Sequence, residues 1–240
     1  MNSKALYAVL LQEGMMPGED FEAVFVDHGC DYPETYTDIQ WMNEHGHPVT
    51  VIPGRRGSLD LYDYYWKYSL IPMRHLRICT EHFKVRPLLQ YFSRPCADYL
   101  GIDAGEARRA VVRDREGITE VYPLVKRGID RDGCREILRE SGWPLPRKSG
   151  CFACPFQSLE EWQGLGKVAP QLARKAIALE DRANERLVGL GRPPIYLADP
   201  YPVRVALSGA SARRMWRAEK RGQLNFLEKM GLEPCPYCRL

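Results

Sequence analysis

Two CxxC pairs, Cys151-Phe-Ala-Cys154 and Cys235-Pro-Tyr-Cys238, carry the plainest chemistry in this 240-residue chain. Two thiolates at that spacing can reach one metal from a tight loop, and four soft ligands complete either a zinc or an iron–sulfur site. In a reducing compartment such pairs point to metal binding or redox chemistry before they point to structural disulfides. The first pair follows Pro144, Pro146 and Gly150, and Pro155 restricts the chain just beyond it. The expected metal ligands are therefore Cys151, Cys154, Cys235 and Cys238, with Cys79 able to take one place. A second constellation sets Cys79 between two cations, Arg77 and Lys84. A nearby cation favours thiolate, the form needed for nucleophilic attack and for metal ligation, so Cys79, Arg77 and Lys84 form the candidate catalytic set. Cys30, Cys96 and Cys134 lack such context and read as small buried apolar residues.

The elements that must position these groups follow from periodicity. Ser3 to Gln12 has apolar residues at helical spacing and stops at Gly14. Phe21 to Asp27 is a β-rich run, Tyr32 to Glu44 is helical, Val49 to Ile52 is a buried-strand pattern closed by Pro53-Gly54, and Leu59 to Leu70 is helical again. This alternation predicts a parallel sheet covered by helices. Tyr99 to Ile102 is a further expected strand, with Glu106 to Ala110 opening a helix or turn beyond it. Ligands of open α/β sheets gather at such carboxyl ends. Past Tyr122 the pattern is helical, with Asp132 to Glu140, a long helix from Leu159 to Leu187, and a basic amphipathic helix from Ala210 to Met230. The expected division is an α/β core over 1–125 and a helical cysteine-containing extension over 126–240.

Composition excludes little. At 45% hydrophobic the chain can bury a substantial core, and Lys+Arg 34 against Asp+Glu 31 is too balanced to signal a nucleic-acid or membrane partner by bulk charge. The apolar run near Met1 is quickly ended by Gln12 and Glu13, so no leader or anchor is expected and the placement is cytoplasmic. Glu44-His-Gly-His47 reads as an exposed turn. Arg213, Arg214, Arg217, Lys220 and Arg221 suit either nucleic-acid phosphates or a solvated helix face.

Three segments in order resemble one family. Phe25-Val-Asp-His-Gly29 with Pro33-Glu-Thr-Tyr36, then Arg77-Ile-Cys-Thr80 with Phe83-Lys-Val-Arg-Pro87, then Lys148-Ser-Gly-Cys-Phe-Ala-Cys-Pro-Phe156 are similar to the phosphoadenosine phosphosulfate (PAPS) reductase-like branch of the PP-loop, or adenine nucleotide α-hydrolase, superfamily. The resemblance covers roughly residues 1 to 160. It implies a five-stranded HUP-type, Rossmann-like sheet and an adenine nucleotide, ATP or PAPS, at the strand ends. It further implies sulfonucleotide reduction or ATP-dependent thiolation. The residues it marks for nucleotide binding are Ser3, Asp27, Gly29, Gly101 and Ile102. Where the family often has Gly-Ile-Arg, this chain has Gly-Ile-Asp103, so the phosphate-facing charge is expected from Arg109 or its neighbour Arg108. Only Met1-Asn-Ser3 matches the SGGxDS phosphate loop: either the loop begins upstream as Ser-Gly-Gly-Met-Asn-Ser, or it is degenerate.

The resemblance favours a [4Fe–4S] cluster over zinc. The expected partners are the nucleotide, tRNA or DNA as a sulfur acceptor, and a sulfur or electron donor protein. The Glu-Cys-Gly-Leu-His type tail of the sulfonucleotide reductases does not appear in this sequence, which favours a thiolating or otherwise diverged member. The alternative is a non-catalytic nucleic-acid-binding protein in which a four-cysteine zinc site staples the tail.

Overall fold

The computed structural model describes residues 1–111, 113, 115–147 and 150–220, without the side chains of 219 and 220. In chain order the described elements are α1 (Asn2–Gln12), β1 (Ala23–Asp27), α2 (Pro33–Glu44), β2 (Val49–Pro53) and α3 (Leu61–Lys67). A helical stretch follows as α4 (Ile78–Thr80), a widened π-type turn (Glu81–Val85) and α5 (Arg86–Tyr91). Next come β3 (Cys96–Tyr99), a 3₁₀ turn (Ala104–Arg109), β4 (Ile118–Val121), α6 (Pro123–Lys126) and α7 (Arg131–Glu140). Helices α8 (Leu159–Val168), α9 (Pro170–Gly189), α10 (Val203–Leu207) and α11 (Ala210–Lys220) complete the described part. The class is mixed α/β, about half helix.

The chain divides into two compact units that interleave in sequence. The first comprises Met1–Asp27, Asp31–Pro53 and Arg86–Gly150; the second comprises His28–Cys30, Gly54–Val85 and the described residues from Cys151 on. Residue 125, the expected boundary, falls inside the first unit.

In the first unit, β1 pairs with β2 in parallel from Ala23↔Val49 to Asp27↔Pro53, and β3 pairs with β4 in parallel from Cys96↔Ile118 to Tyr99↔Val121. The parallel pairing expected from the strand–helix alternation is present, as two two-stranded sheets among the described residues. Helix α1 is buried from Lys4 through Leu10, and its Ala5, Leu6, Val9 and Leu10 pack with Leu124, Cys134 and Leu138. Burying such a Leu or Val side chain stabilises by about 1.5–3 kcal/mol, which holds α1 in place despite its polar Lys4. That ammonium is satisfied by Asp38 at 2.5 Å and the Pro144 carbonyl at 3.1 Å, and it lies 4.4 Å over the Trp41 ring. Helix α2 starts at Pro33, whose fixed φ suits a first helical position, with Glu34 in the first turn complementing the helix dipole.

In the second unit, α8 begins with a reciprocal capping box between Ser158 and Glu161. The buried Glu180 of α9 accepts the Leu197 and Val203 amides at 2.7 and 2.8 Å, tying the connector after α9 to that helix. Tyr201, Val205 and Ala212 cluster beneath Met215 and Trp216 of α11.

Two expectations are corrected, and one strand is added. The strand expected over Tyr99 to Ile102 lies at Cys96–Tyr99, because Gly101 and Ile102 turn the chain after β3 instead of extending it. Strand β4 follows the Gly117 turn, a short Ile-Thr-Glu-Val run too brief for a periodicity signal. The helix expected from Leu159 to Leu187 is two helices, since Pro170 forces Ala169 out of the helical region (φ −138°, ψ 66°). Residues 221–230 of the expected basic helix lie outside the described residues.

Candidate functional site

The first unit holds five of the six residues expected to bind nucleotide. Asp27 is the last residue of β1, at its carboxyl end, and accepts a 2.7 Å hydrogen bond from the Tyr36 hydroxyl of α2. Gly101 lies two residues past the carboxyl end of β3, packed against the first turn of α1: a Cβ added there would sit 2.7 Å from both the Ser3 Cα and the Ser3 nitrogen. Only glycine permits so close an approach of two backbones. Ser3 is exposed in the opening turn of α1, where the first amides of any helix lack intrahelical partners.

Asp103, where the family pattern has arginine, has a structural task. Its carboxylate accepts from the Asn2 side chain at 2.7 Å and from the Glu106 amide at 3.1 Å, joining the start of α1 to the 3₁₀ turn. Ile102 is half-buried beside it. Arg109 is exposed and pairs with Glu106 at 2.5 Å, the arrangement of a solvated face.

The second unit gathers the sulfur chemistry. Gly29 adopts φ +77°, and a Cβ there would lie 2.9 Å from the Asp60 carboxylate, so the turn after Asp27 needs glycine for conformation and for space. Asp60 caps α3 by accepting the Asp63 amide at 2.8 Å. In the Cys151–Cys154 loop the Cys154 amide donates to the Cys151 carbonyl at 3.1 Å. The Gln157 side-chain amide donates to the carbonyls of Cys151, Phe152 and Cys154, and the Phe156 amide to the Cys154 sulfur. The loop is thus fixed by hydrogen bonds rather than by chain stiffness alone.

Arg77 occupies a left-handed conformation (φ +47°) at the entry to α4, which carries the half-buried Cys79. Its guanidinium lies 6.0 Å from the Phe156 ring centre, while the Arg74 side chain donates to the Pro155 carbonyl at 2.8 Å. Exposed Lys84 acts on Cys154: burial pushes that thiol's pKa up, Cys151 and Cys79 add to the rise, and the Phe156 amide and Lys84 pull it down. The two expected cations therefore border the CxxC loop as well as Cys79.

Cys30, read from sequence as an inert apolar residue, lies in this unit with its carbonyl accepting the Phe152 amide at 3.0 Å. The Tyr65 hydroxyl, buried beneath these segments, has its pKa raised by desolvation and further by Cys79, Cys151 and Cys30. No sequence spacing marks Cys30; its position one residue past Gly29 is the sole clue. The described cysteines form no disulfide, and no three described His, Cys, Asp or Glu side chains stand close enough to hold a single ion. Cys235 and Cys238 lie outside the described residues.

His45 and His47 serve packing: His45 stacks on Trp41, and His47 packs at a tilt against Trp143, each at 4.3 Å between ring centres. Among the described residues no helix is long and apolar enough to cross a membrane. No family model, no curated protein and no solved structure matches the chain.

Proposed function

We propose that the chain is a PAPS reductase-like enzyme that binds an adenine nucleotide at the carboxyl ends of the parallel strands of its first unit. In this reading a cysteine-bound [4Fe–4S] centre, anchored at Cys151 and Cys154, serves sulfur chemistry. The observation that carries it is the placement of Asp27 and Gly101, singled out by pattern alone, at the carboxyl ends of β1 and β3, with the opening turn of α1 against Gly101. Parallel strands with helix starts at their carboxyl ends are where α/β folds bind nucleotides, and the two parallel pairs support an HUP-type sheet.

Two reactions fit. In ATP-dependent thiolation an acceptor oxygen on tRNA or DNA attacks the α-phosphate, pyrophosphate leaves, and sulfide delivered by a donor then displaces AMP, which carries the oxygen away. In sulfonucleotide reduction two electrons from a donor release sulfite from PAPS and leave adenosine 3′,5′-bisphosphate. Asp27, oriented by Tyr36, suits ribose or adenine hydroxyl and amine donors. Ser3 and the first amides of α1 suit phosphate oxygens. An iron–sulfur group, when bound, supplies electrons or soft iron for sulfur.

Calorimetry with ATP and with PAPS on the anaerobically purified chain tests the reading. One of the two binds, and Asp27→Ala weakens it about tenfold, or about 1.4 kcal/mol. Pyrophosphate release with ATP identifies thiolation, and sulfite release from PAPS identifies reduction. Stoichiometric zinc with no nucleotide binding refutes the enzyme and leaves the nucleic-acid-binding alternative.

A further inference from the structure

The two CxxC pairs make the tail the obvious source of the remaining ligands. The fold brings two other cysteines to the Cys151–Cys154 loop. The Cys30 segment is joined to it by the Phe152 amide, which donates to the Cys30 carbonyl at 3.0 Å. The Cys30 amide is itself held, 3.2 Å from His28 Nδ1, and the Leu61 amide donates to the His28 carbonyl at 3.1 Å, so this turn is fixed to the start of α3. The Cys79 segment is joined to the far side of the loop by Arg74, whose side chain donates to the Pro155 carbonyl at 2.8 Å and whose guanidinium covers Phe156 at 5.7 Å. The loop thus has one cysteine-bearing segment hydrogen-bonded at Phe152 and another at Pro155.

We propose that Cys30, Cys79, Cys151 and Cys154 form one four-thiolate site for the iron–sulfur centre, and that Cys235 and Cys238 are not among its ligands. The proposal rests on the cluster-bearing reading above and specifies its ligand set. A common neighbour supports it: the buried Tyr65 hydroxyl lies within electrostatic reach of Cys30, Cys79 and Cys151, and Cys154 within reach of Cys79 and Cys151. The environment also suits a cluster. Cys30 is 1% exposed, the other three are half-buried, and Arg77 and Lys84 offset the negative charge that four thiolates bring. A zinc ion bonded to sulfur at about 2.3 Å draws its four sulfurs to within about 3.8 Å of one another. A cubane offers a separate iron to each thiolate and accepts a wider set. The Phe156 amide aimed at the Cys154 sulfur is the kind of donor that stabilises a ligating thiolate.

The test is iron, sulfide and zinc content of the full chain after anaerobic reconstitution. Wild type holds about four irons per chain, the content of one [4Fe–4S] cluster. Cys30→Ser and Cys30→Ala each lose more than half of that iron. The Cys235→Ser/Cys238→Ser double variant keeps it, as does Cys134→Ser, a control at another buried cysteine. Melting of the metal-free variants separates loss of fold from loss of ligand. A measurement on wild type needs no variant: alkylation of the loaded chain modifies Cys235 and Cys238 while sparing Cys79, Cys151 and Cys154, which become reactive after chelation. Full iron in both Cys30 variants, or tail cysteines protected by the cluster, overturns the ligand set and leaves the proposed function standing. One zinc in place of iron, lost in the Cys30 variants, overturns the cluster and leaves the ligand set standing. A wild-type chain that takes up neither metal overturns both.

Discussion

Replacing Gly101 by alanine tests the joint between β3 and α1 with one methyl group. The new Cβ would meet the Ser3 Cα and nitrogen at 2.7 Å and the Ser3 hydroxyl oxygen at 2.8 Å. Comfortable carbon contacts begin at about 3.5 Å, so the opening turn of α1 must retreat by roughly 0.8 Å. Retreat is resisted because α1 is buried from Lys4 to Leu10 and Lys4 is tethered to Asp38 and Pro144. Overpacking of this kind costs about 1–3 kcal/mol, which for a chain of this size lowers Tm by about 2–12 °C. Adding Ser3→Gly relieves only the hydroxyl contact, so most of the loss persists. In the proposed function the same shift moves the phosphate-facing turn, and nucleotide affinity falls about tenfold or more, at least about 1.4 kcal/mol. Gly164→Ala is the counter-control: no atom stands within 4 Å of its Cβ inside α8, and removing a mid-helix glycine stabilises by about 0.5–1 kcal/mol. Melting curves and titration calorimetry read both quantities. An unchanged Tm for Gly101→Ala refutes the packing argument, and a lowered Tm with unchanged affinity refutes the placement of the nucleotide.

Burial pushes the Glu180 carboxyl up to about 8, with Asp181 adding to the rise and the Leu197 and Val203 amides and Arg204 opposing it. The folded chain then keeps this proton to about pH 8 while the unfolded chain releases it near 4.5, so the stabilisation is complete below 4.5 and fades as pH rises to 8. The difference is on the order of 5 kcal/mol over that window. Wild type should exceed Glu180→Gln in Tm at pH 5 and lose that advantage by pH 8; a constant difference across the window rejects the assignment. Lys4→Met removes the ammonium from Asp38, which is 23% exposed at its side chain, and from the Pro144 carbonyl, at a cost of about 1–3 kcal/mol in urea unfolding. A double-mutant cycle with Asp38→Asn that yields less than about 0.5 kcal/mol of coupling shows that packing, not the ion pair, holds Lys4.

The sequence by itself determined the local structure wherever a periodic or capping signal was strong. The helices at Asn2–Gln12, Pro33–Glu44 and Arg131–Glu140 and the strands at Ala23–Asp27 and Val49–Pro53 follow from apolar spacing bounded by Pro and Gly. It also placed Asp27 at a strand end and Cys151 and Cys154 in one turn, because these are relations between near neighbours. Strand β4 and the register of β3 were not legible: four-residue strands carry too little periodicity, and their pairing partners are distant in the chain. Only the tertiary structure decided the long-range relations. It explained Gly101 by the backbone of Ser3, gave Asp103 its tie to Asn2, and drew Arg109 into a surface pair with Glu106. It also brought the segments of Cys30 and Cys79 to the CxxC loop through hydrogen bonds across more than seventy residues. The proposed ligand set draws on three separate segments and so has no spacing to read; segments so far apart in the chain meet only once packing has closed the loops between them.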